Sequence, residues 1–386
     1  MFRAATVVSK EPFSGIAGEH LGNALLEKLG RPPSACWLFS APSQNLKELV
    51  RGIVRSVGVA NLVGCTTDGE ISAAGLSTGS VVLCGVATDR IQFHFARVRS
   101  LGRDSEKAGR KLAKQFPSTV RYVQIFSDGL TGNGCAILRG LTSVLGSNVP
   151  IAGGTSGDSG QFRSTWQFLG TEVLTDAIVA VGFSGEFSVG TGVRSGWSPI
   201  GIAKKVTRAS GNVVYELNGQ SALQVYERFL GKHADKLPAV GVEYPLGLVH
   251  KLEGPKEEDY HILRATMAVN RQDGSIVFAG DVPEGSMVRL TCGDHASILE
   301  AAEQAACLAL AELGNHTPSL VFFYSCMARK IVLGRRTTEE IERIRLAVGA
   351  DVPIVGFYTY GEYCRVTCNG PSLLHNETAS VSVIGL

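Results

Sequence analysis

Gly64-Cys65-Thr66-Thr67-Asp68-Gly69-Glu70 is repeated near the other end of the chain as Gly356-Phe357-Tyr358-Thr359-Tyr360-Gly361-Glu362, with Gly, Thr, Gly and Glu at the same offsets. A shortened echo, Gly153-Gly154-Thr155-Ser156-Gly157-Asp158, lies between them, its acidic residue one position early. Each copy follows an amphipathic helical pattern and then a short apolar run: Asn61-Leu62-Val63, Val149-Pro150-Ile151-Ala152 and Val352-Pro353-Ile354-Val355. Repetition on this scale marks one supersecondary unit used several times.

Outward from the motif, the spacing of apolar residues predicts the rest of the unit. Leu21, Leu25, Leu26 and Leu29 share one helical stripe, and Leu46, Leu49, Val50, Ile53 and Val54 share another, with Cys36 to Ser40 as an apolar strand between them. The same order returns at residues 104–193 and again at 285–386, the third pass opening on a strand at Met287–Thr291. Units one and two fill about residues 1–195. Residues 196–284 do not fit the pattern, and 251–259 within them read as a polar loop. The expectation is an α/β protein of repeated strand-helix-strand-helix-strand-strand units, forming two domains with mixed sheets, 1–222 and 223–386.

Composition narrows the function classes. The 386 residues carry 37 basic and 35 acidic side chains, a net charge of +2, which makes no electrostatic case for nucleic acid or an anionic membrane. Neither a secretory signal nor an apolar run long enough to span a bilayer is visible. Nine cysteines without CxxC spacing read as free thiols in a reducing compartment, so a cytoplasmic location is expected. The eight histidines show no HExxH or paired Cys/His spacing, and no metal site is expected.

The glycine turns have a chemical use. Glycines let backbone approach a ligand and offer successive N–H donors, Thr adds a hydroxyl, and a carboxylate holds an ammonium or amide N–H. The competing reading is that Gly and Thr only shape a strand-end turn while Glu ties down loop backbone. Asp128 to Gly134 follows a strand and opens a helix, yet Cys135 and Ala136 stand where a Walker loop needs Lys and Ser or Thr. Cys326, His375 and Glu362 suit a nucleophile, base and orienter by type, but no sequence feature brings them together, and no enzyme activity is expected.

Taken in order, Val63 to Glu70, Phe126-Ser127-Asp128-Gly129-Leu130, Ala152-Gly153-Gly154, Gly196-Trp197 and Val214 to Gly219 resemble the N-terminal domain of the FIST family. Tyr244-Pro245-Leu246-Gly247, Tyr324-Ser325-Cys326, Arg329, Gly356 to Glu362 and His375-Asn376 resemble its C-terminal partner. The resemblance implies an intracellular sensory module for a small ligand, an amino acid or similar metabolite, that regulates a separate signalling protein. An alternative it implies is a haem-based nitric-oxide sensor acting on a histidine kinase. The expected ligand-binding set is Cys65, Thr66, Thr67, Glu70, Asp128, Gly153, Gly154, Cys326, Arg329, Tyr358, Thr359, Glu362 and His375. Within it Arg329 would take a ligand carboxylate and Glu362 its amine, and in the haem case His375 would be the axial ligand.

Overall fold

The structure, a computed structural model, describes residues 1–58, 61–251 and 259–386. The segment read as a polar loop lies outside the described residues except for its ends. Unit one consists of β1 (Phe2–Ser9), α1 (Gly15–Leu29), β2 (Ala35–Ser40), α2 (Leu46–Val57), β3 (Leu62–Thr66), a hairpin of β4 (Glu70–Ser72) and β5 (Gly75–Ser77), and β6 (Val81–Thr88). Unit two repeats it: β7 (Ile91–Arg99), α3 (Ser105–Ala113), β8 (Tyr122–Ser127), α4 (Gly134–Leu145), β9 (Ile151–Thr155), the hairpin β10 (Gln167–Leu169) and β11 (Glu172–Leu174), and β12 (Ala177–Gly185).

Unit three begins with β13 (Ser188–Arg194) and is then interrupted. The inserted segment contains β14 (Trp197–Ser210), β15 (Val213–Leu217), β16 (Gln220–Ser221), α5 (Ala222–Leu230), β17 (Leu246–Lys251), β18 (Asp259–Arg264), β19 (Thr266–Asn270), β20 (Ser275–Phe278) and β21 (Met287–Gly293). The unit resumes with α6 (His295–Leu313), β22 (Pro318–Cys326), α7 (Met327–Leu333), α8 (Thr337–Val348), β23 (Ile354–Thr359), the hairpin β24 (Glu362–Arg365) and β25 (Ser372–His375), and β26 (Ala379–Gly385). This corrects one expectation. The strand at Met287 does not open unit three; it pairs with β14 and β17 inside the insertion, and β13 pairs with β26 as the first strand.

The α/β class with mixed sheets is as expected; the way the units combine is not visible in sequence. The three sheets run β1-β6-β2-β3-β10-β11, β7-β12-β8-β9-β24-β25 and β13-β26-β22-β23-β4-β5. Each unit therefore builds four strands of its own sheet and lends its hairpin to the preceding unit's sheet, with unit one's hairpin closing the cycle in unit three's sheet. Only the central pairs, β2/β3, β8/β9 and β22/β23, are parallel within the three sheets. Their inner faces meet in one core, where the rings of Phe39, Phe126 and Tyr324 lie 5.4, 6.1 and 6.5 Å apart pairwise. Helix pairs cover the outer faces, α1 with α2, α3 with α4 and α6 with α8. The insertion forms a fourth sheet, β18-β17-β21-β14-β15-β20-β19, with its own core around Tyr226 of α5.

The first glycine of each motif copy is explained by this geometry. Gly64, Gly153 and Gly356 face Leu38, Ile125 and Phe323 across the parallel pair. A Cβ there would stand 1.8, 2.0 and 1.7 Å from the facing carbonyl oxygen. No side chain fits in that space, so the motif glycine is a requirement of strand packing.

Candidate functional site

The motif carboxylates are spent on their own turns. Glu70 is buried, accepts from Thr67 Oγ1 (2.5 Å) with one oxygen and from Ser80 N (3.2 Å) and Oγ (2.5 Å) with the other. Glu362 repeats the arrangement with Thr359 Oγ1 (2.9 Å) and with Thr378 N (3.2 Å) and Oγ1 (2.8 Å). Burial raises both carboxyls, Glu70 to about 7 and Glu362 to about 8, against the pull of these donors. Each glutamate latches the turn to the strand that follows the hairpin.

Strand register identifies the third copy. Glu70 pairs with Phe357, Glu362 with Gly154 and Gln167 with Cys65, each one residue beyond the motif glycine of the neighbouring unit. Gln167, not Asp158, is thus the equivalent of the two glutamates, and its Nε2 donates to Ser156 Oγ (3.0 Å). The loop of residues 158–166 separates it from its motif and conceals it in the sequence.

Asp158 has a different task. Its carboxylate accepts from the N–H groups of Phe162 (2.8 Å), Arg163 (2.6 Å) and Ser164 (3.0 Å) and from the Tyr360 hydroxyl. Burial would raise this carboxyl, but those donors outweigh it and hold it below the usual range. The loop so fixed lays Phe162 on Tyr360, with ring centroids 4.6 Å apart at 18°. Beside it Lys330 Nζ pairs with Asp68 Oδ2 (2.6 Å).

Between these loops and the inserted sheet lies a cavity of about 630 Å³. Leu130 and Phe162 come from unit two, Cys326, Ile331 and Tyr360 from unit three, and Ala239 and Met267 from the insertion. Leu130, Phe162, Met267 and Ile331 remain 38%, 45%, 43% and 54% exposed, so large apolar side chains line an accessible space. A second lobe of about 400 Å³ shares Leu130, Phe162, Met267 and Tyr360 and is floored by the loop from Ser127 to Gly134. The walls belong to residues on both sides of position 222.

The expected site residues divide accordingly. Cys326 lines the cavity and Asp128 the second lobe. Asp128 shapes its loop, since its oxygens accept from Leu130 N (2.9 Å), Thr131 N (3.0 Å) and Asp176 N (2.9 Å). Cys65 is buried in the central core, and Gly153 and Gly154 lie in β9. Thr66 holds Trp166 N (3.0 Å), while Thr67 and Thr359 serve the turn glutamates. Tyr358 donates to Glu340 Oε2 (2.8 Å).

Arg329 is fully buried and already engaged. Its Nε and Nη2 lie 2.6 and 2.5 Å from Glu340 Oε1, its Nη2 donates to Ile298 O (2.7 Å) and its Nη1 to Ser195 O. It lines neither lobe and has no open face for a carboxylate. His375 is buried, donates from Nε2 to Cys364 O (3.0 Å) and packs edge-on to Tyr260; burial lowers it to about 3. It lines neither lobe, so it does not fit the part of an axial haem ligand. Among the described residues no cluster of His, Cys, Asp or Glu could hold a metal, and no helix is long and apolar enough to cross a membrane.

Models of two domains cover most of the chain, the FIST N domain over residues 34–220 and the FIST C domain over 222–365. The chain belongs to the FIST family, whose domains are associated with sensing and small-ligand binding. It is 28% identical over 393 residues to an uncharacterised protein of Mycobacterium tuberculosis, covering 95% of each chain. It is 26% identical over 337 residues to an uncharacterised protein of Methanocaldococcus jannaschii, covering 82% of this chain but only 64% of that one. Among solved structures, a cyanuric acid hydrolase from A. caulinodans aligns over 100% of this chain and 99% of its own, at 10% identity and a TM-score of 0.37. At that score neither fold nor activity is carried across.

Proposed function

We propose that this protein is a small-molecule sensor whose ligand occupies the cavity between the unit-two and unit-three loops and the inserted sheet, and that the bound state regulates a separate signalling protein. The observation that carries the reading is the cavity itself. Its volume suits a small ligand, its walls are largely apolar, and they come from three separate parts of the chain. A ligand touching all three favours one arrangement of insertion and loops, which is what a sensor requires of its ligand. The family association with sensing and small-ligand binding agrees with it. Nine unpaired cysteines, with Cys36, Cys65, Cys84, Cys326 and Cys364 buried, support a cytoplasmic location.

The apolar walls favour a ligand with a hydrophobic body. The turn glutamates anchor their own loops, so the ligand is held by the cavity and not by the repeated motif. A thermal-shift screen of small metabolites, followed by calorimetry on Ala239→Trp, tests this. Ala239 is exposed at the cavity wall, and a Trp there fills the space without disturbing the core. Binding is expected to weaken about tenfold or more, the loss of one to two kcal/mol of apolar contact. Unchanged affinity would place the ligand elsewhere.

A further inference from the structure

Glu377 stands where the other units keep no unsatisfied carboxylate. Across the last strands, Ser40 faces Val81, Ser127 faces Ile178 and Ser325 faces Ala379. Two residues before each partner lie Gly79, Asp176 and Glu377, all left-handed at φ +63°, +48° and +60°. Gly79 has no side chain. Asp176 accepts from Gly102 N (2.8 Å) and Thr131 Oγ1 (3.1 Å). Glu377 is fully buried, and neither of its carboxylate oxygens has a hydrogen-bond partner among the described residues. A buried carboxylate without a partner opposes folding, as does a positive φ at a non-glycine residue. Such a group, kept at a strained position, is a mark of function.

Glu377 lines neither lobe, but the residue after it is bonded to one that lines the cavity. Cys326, which lines the cavity, donates its N–H to Thr378 O (3.0 Å); burial raises its thiol, and the nearby carboxyls of Glu362 and Glu377 add to that. Behind that single small side chain stand two carboxyls that burial raises well above the ordinary range, and a cation arriving there favours their ionised form. The neighbouring cation, Arg329, is occupied by Glu340 and two carbonyls and offers nothing to a ligand acid. Apolar walls, carboxyls behind the inner end and no cationic side chain among the described lining residues define the complement. We propose that the cavity takes a small hydrophobic amine, its apolar body against Phe162, Met267 and Ile331 and its ammonium reaching Glu377 past the Cys326 thiol. The assignment rests on the cavity being the ligand site. It also separates amines from amino acids, whose carboxylate would meet no cationic side chain among the described lining residues.

Calorimetry with hexylamine, hexanol and hexanoate on the whole protein tests it. Hexylamine is expected to bind about tenfold or more tightly than hexanol, a typical worth for one charge-assisted contact, and hexanoate most weakly. Glu377→Gln and Glu377→Gly should each abolish that preference. The Gly variant restores the residue found at position 79 and relieves the backbone, so a melting temperature at or above that of the wild type will show it folded. Equal affinity for hexylamine and hexanol, no binding of hexylamine, or an amine preference that survives in both variants overturns the assignment. Ala239→Trp separates the two levels. If it weakens hexanol while the Glu377 variants leave hexylamine unchanged, only the ammonium site is wrong. If hexylamine and hexanol bind but ignore Ala239→Trp, the cavity is not the site and both readings fall.

Discussion

Replacing Glu362 by Gln should stabilise the protein in alkaline solution and barely change it in acid. Burial lifts the Glu362 carboxyl to about 8 in the folded state, whereas the unfolded chain keeps it near the ordinary value of 4.5. The folded state therefore holds a proton that the unfolded state has released. The stabilising contribution is complete below the unfolded value and is lost as pH rises through the folded value. A gap from 4.5 to about 8 corresponds to an upper limit of roughly 5 kcal/mol, and on the order of 2–3 is a realistic expectation for a buried group with its own donors. Gln does not titrate, and unit two shows that it fits: Gln167 occupies the equivalent position and donates to Ser156 Oγ. Below about pH 5 the variant is expected within roughly 1 kcal/mol of wild type, the worth of one rearranged hydrogen bond. Near pH 9 it should be the more stable of the two by about 2 kcal/mol. Urea unfolding of both proteins at several pH values measures this directly, and the difference between them removes the titrating groups that are not coupled to Glu362, as Glu377 and Cys326 are. A variant less stable than wild type at high pH would show that the charged carboxylate is favoured by its three donors, and the reasoning from burial would be refuted.

Three further outcomes follow from the same contacts. Gly356→Ala drives a Cβ to 1.7 Å from Phe323 O and is expected to prevent soluble expression or cost more than about 4 kcal/mol in urea unfolding, with Gly64→Ala behaving alike. Arg329→Met leaves Glu340 buried without its charge partner, held only by the Tyr358 and Ser325 hydroxyls, and should destabilise by about 3–5 kcal/mol, while the double variant with Glu340→Gln recovers part of the loss; a double variant worse than the sum of the singles would contradict this. Asp158→Ala removes the acceptor of three backbone N–H groups, so residues 159–164 should gain amide hydrogen exchange and protease sensitivity while the three-sheet core keeps its protection.

The recurring unit was legible because its turn glycine is imposed by packing: no other residue fits at Gly64, Gly153 or Gly356, so the signature persists through the copies. The exchange of hairpins was not legible, since a strand such as Glu70–Ser72 pairs with Ile354–Thr359 some 285 residues away and local pattern holds no record of it. The start of unit three is hidden in the sequence because its first strand is followed by an insertion of about a hundred residues whose own strand at Met287 has the expected pattern. Gln167 was hidden by the loop that separates it from its motif. The polar residues picked from the motifs are mostly consumed by the fold, and Asp128 and Cys326 alone among them line the cavity or its second lobe. The remaining walls are ordinary apolar residues, which carry no motif, and Glu377 stands out only through its backbone angle and its missing partners.

The central claim is that ligand sits between the strand-end loops and the inserted sheet. A crystal structure of the protein with the tightest small molecule from the screen tests it most directly. The account predicts ligand density bounded by Phe162 and Tyr360 on one side and by Ala239 and Met267 on the other, with its polar end toward Cys326. Density elsewhere, with this cavity holding only solvent, would contradict it.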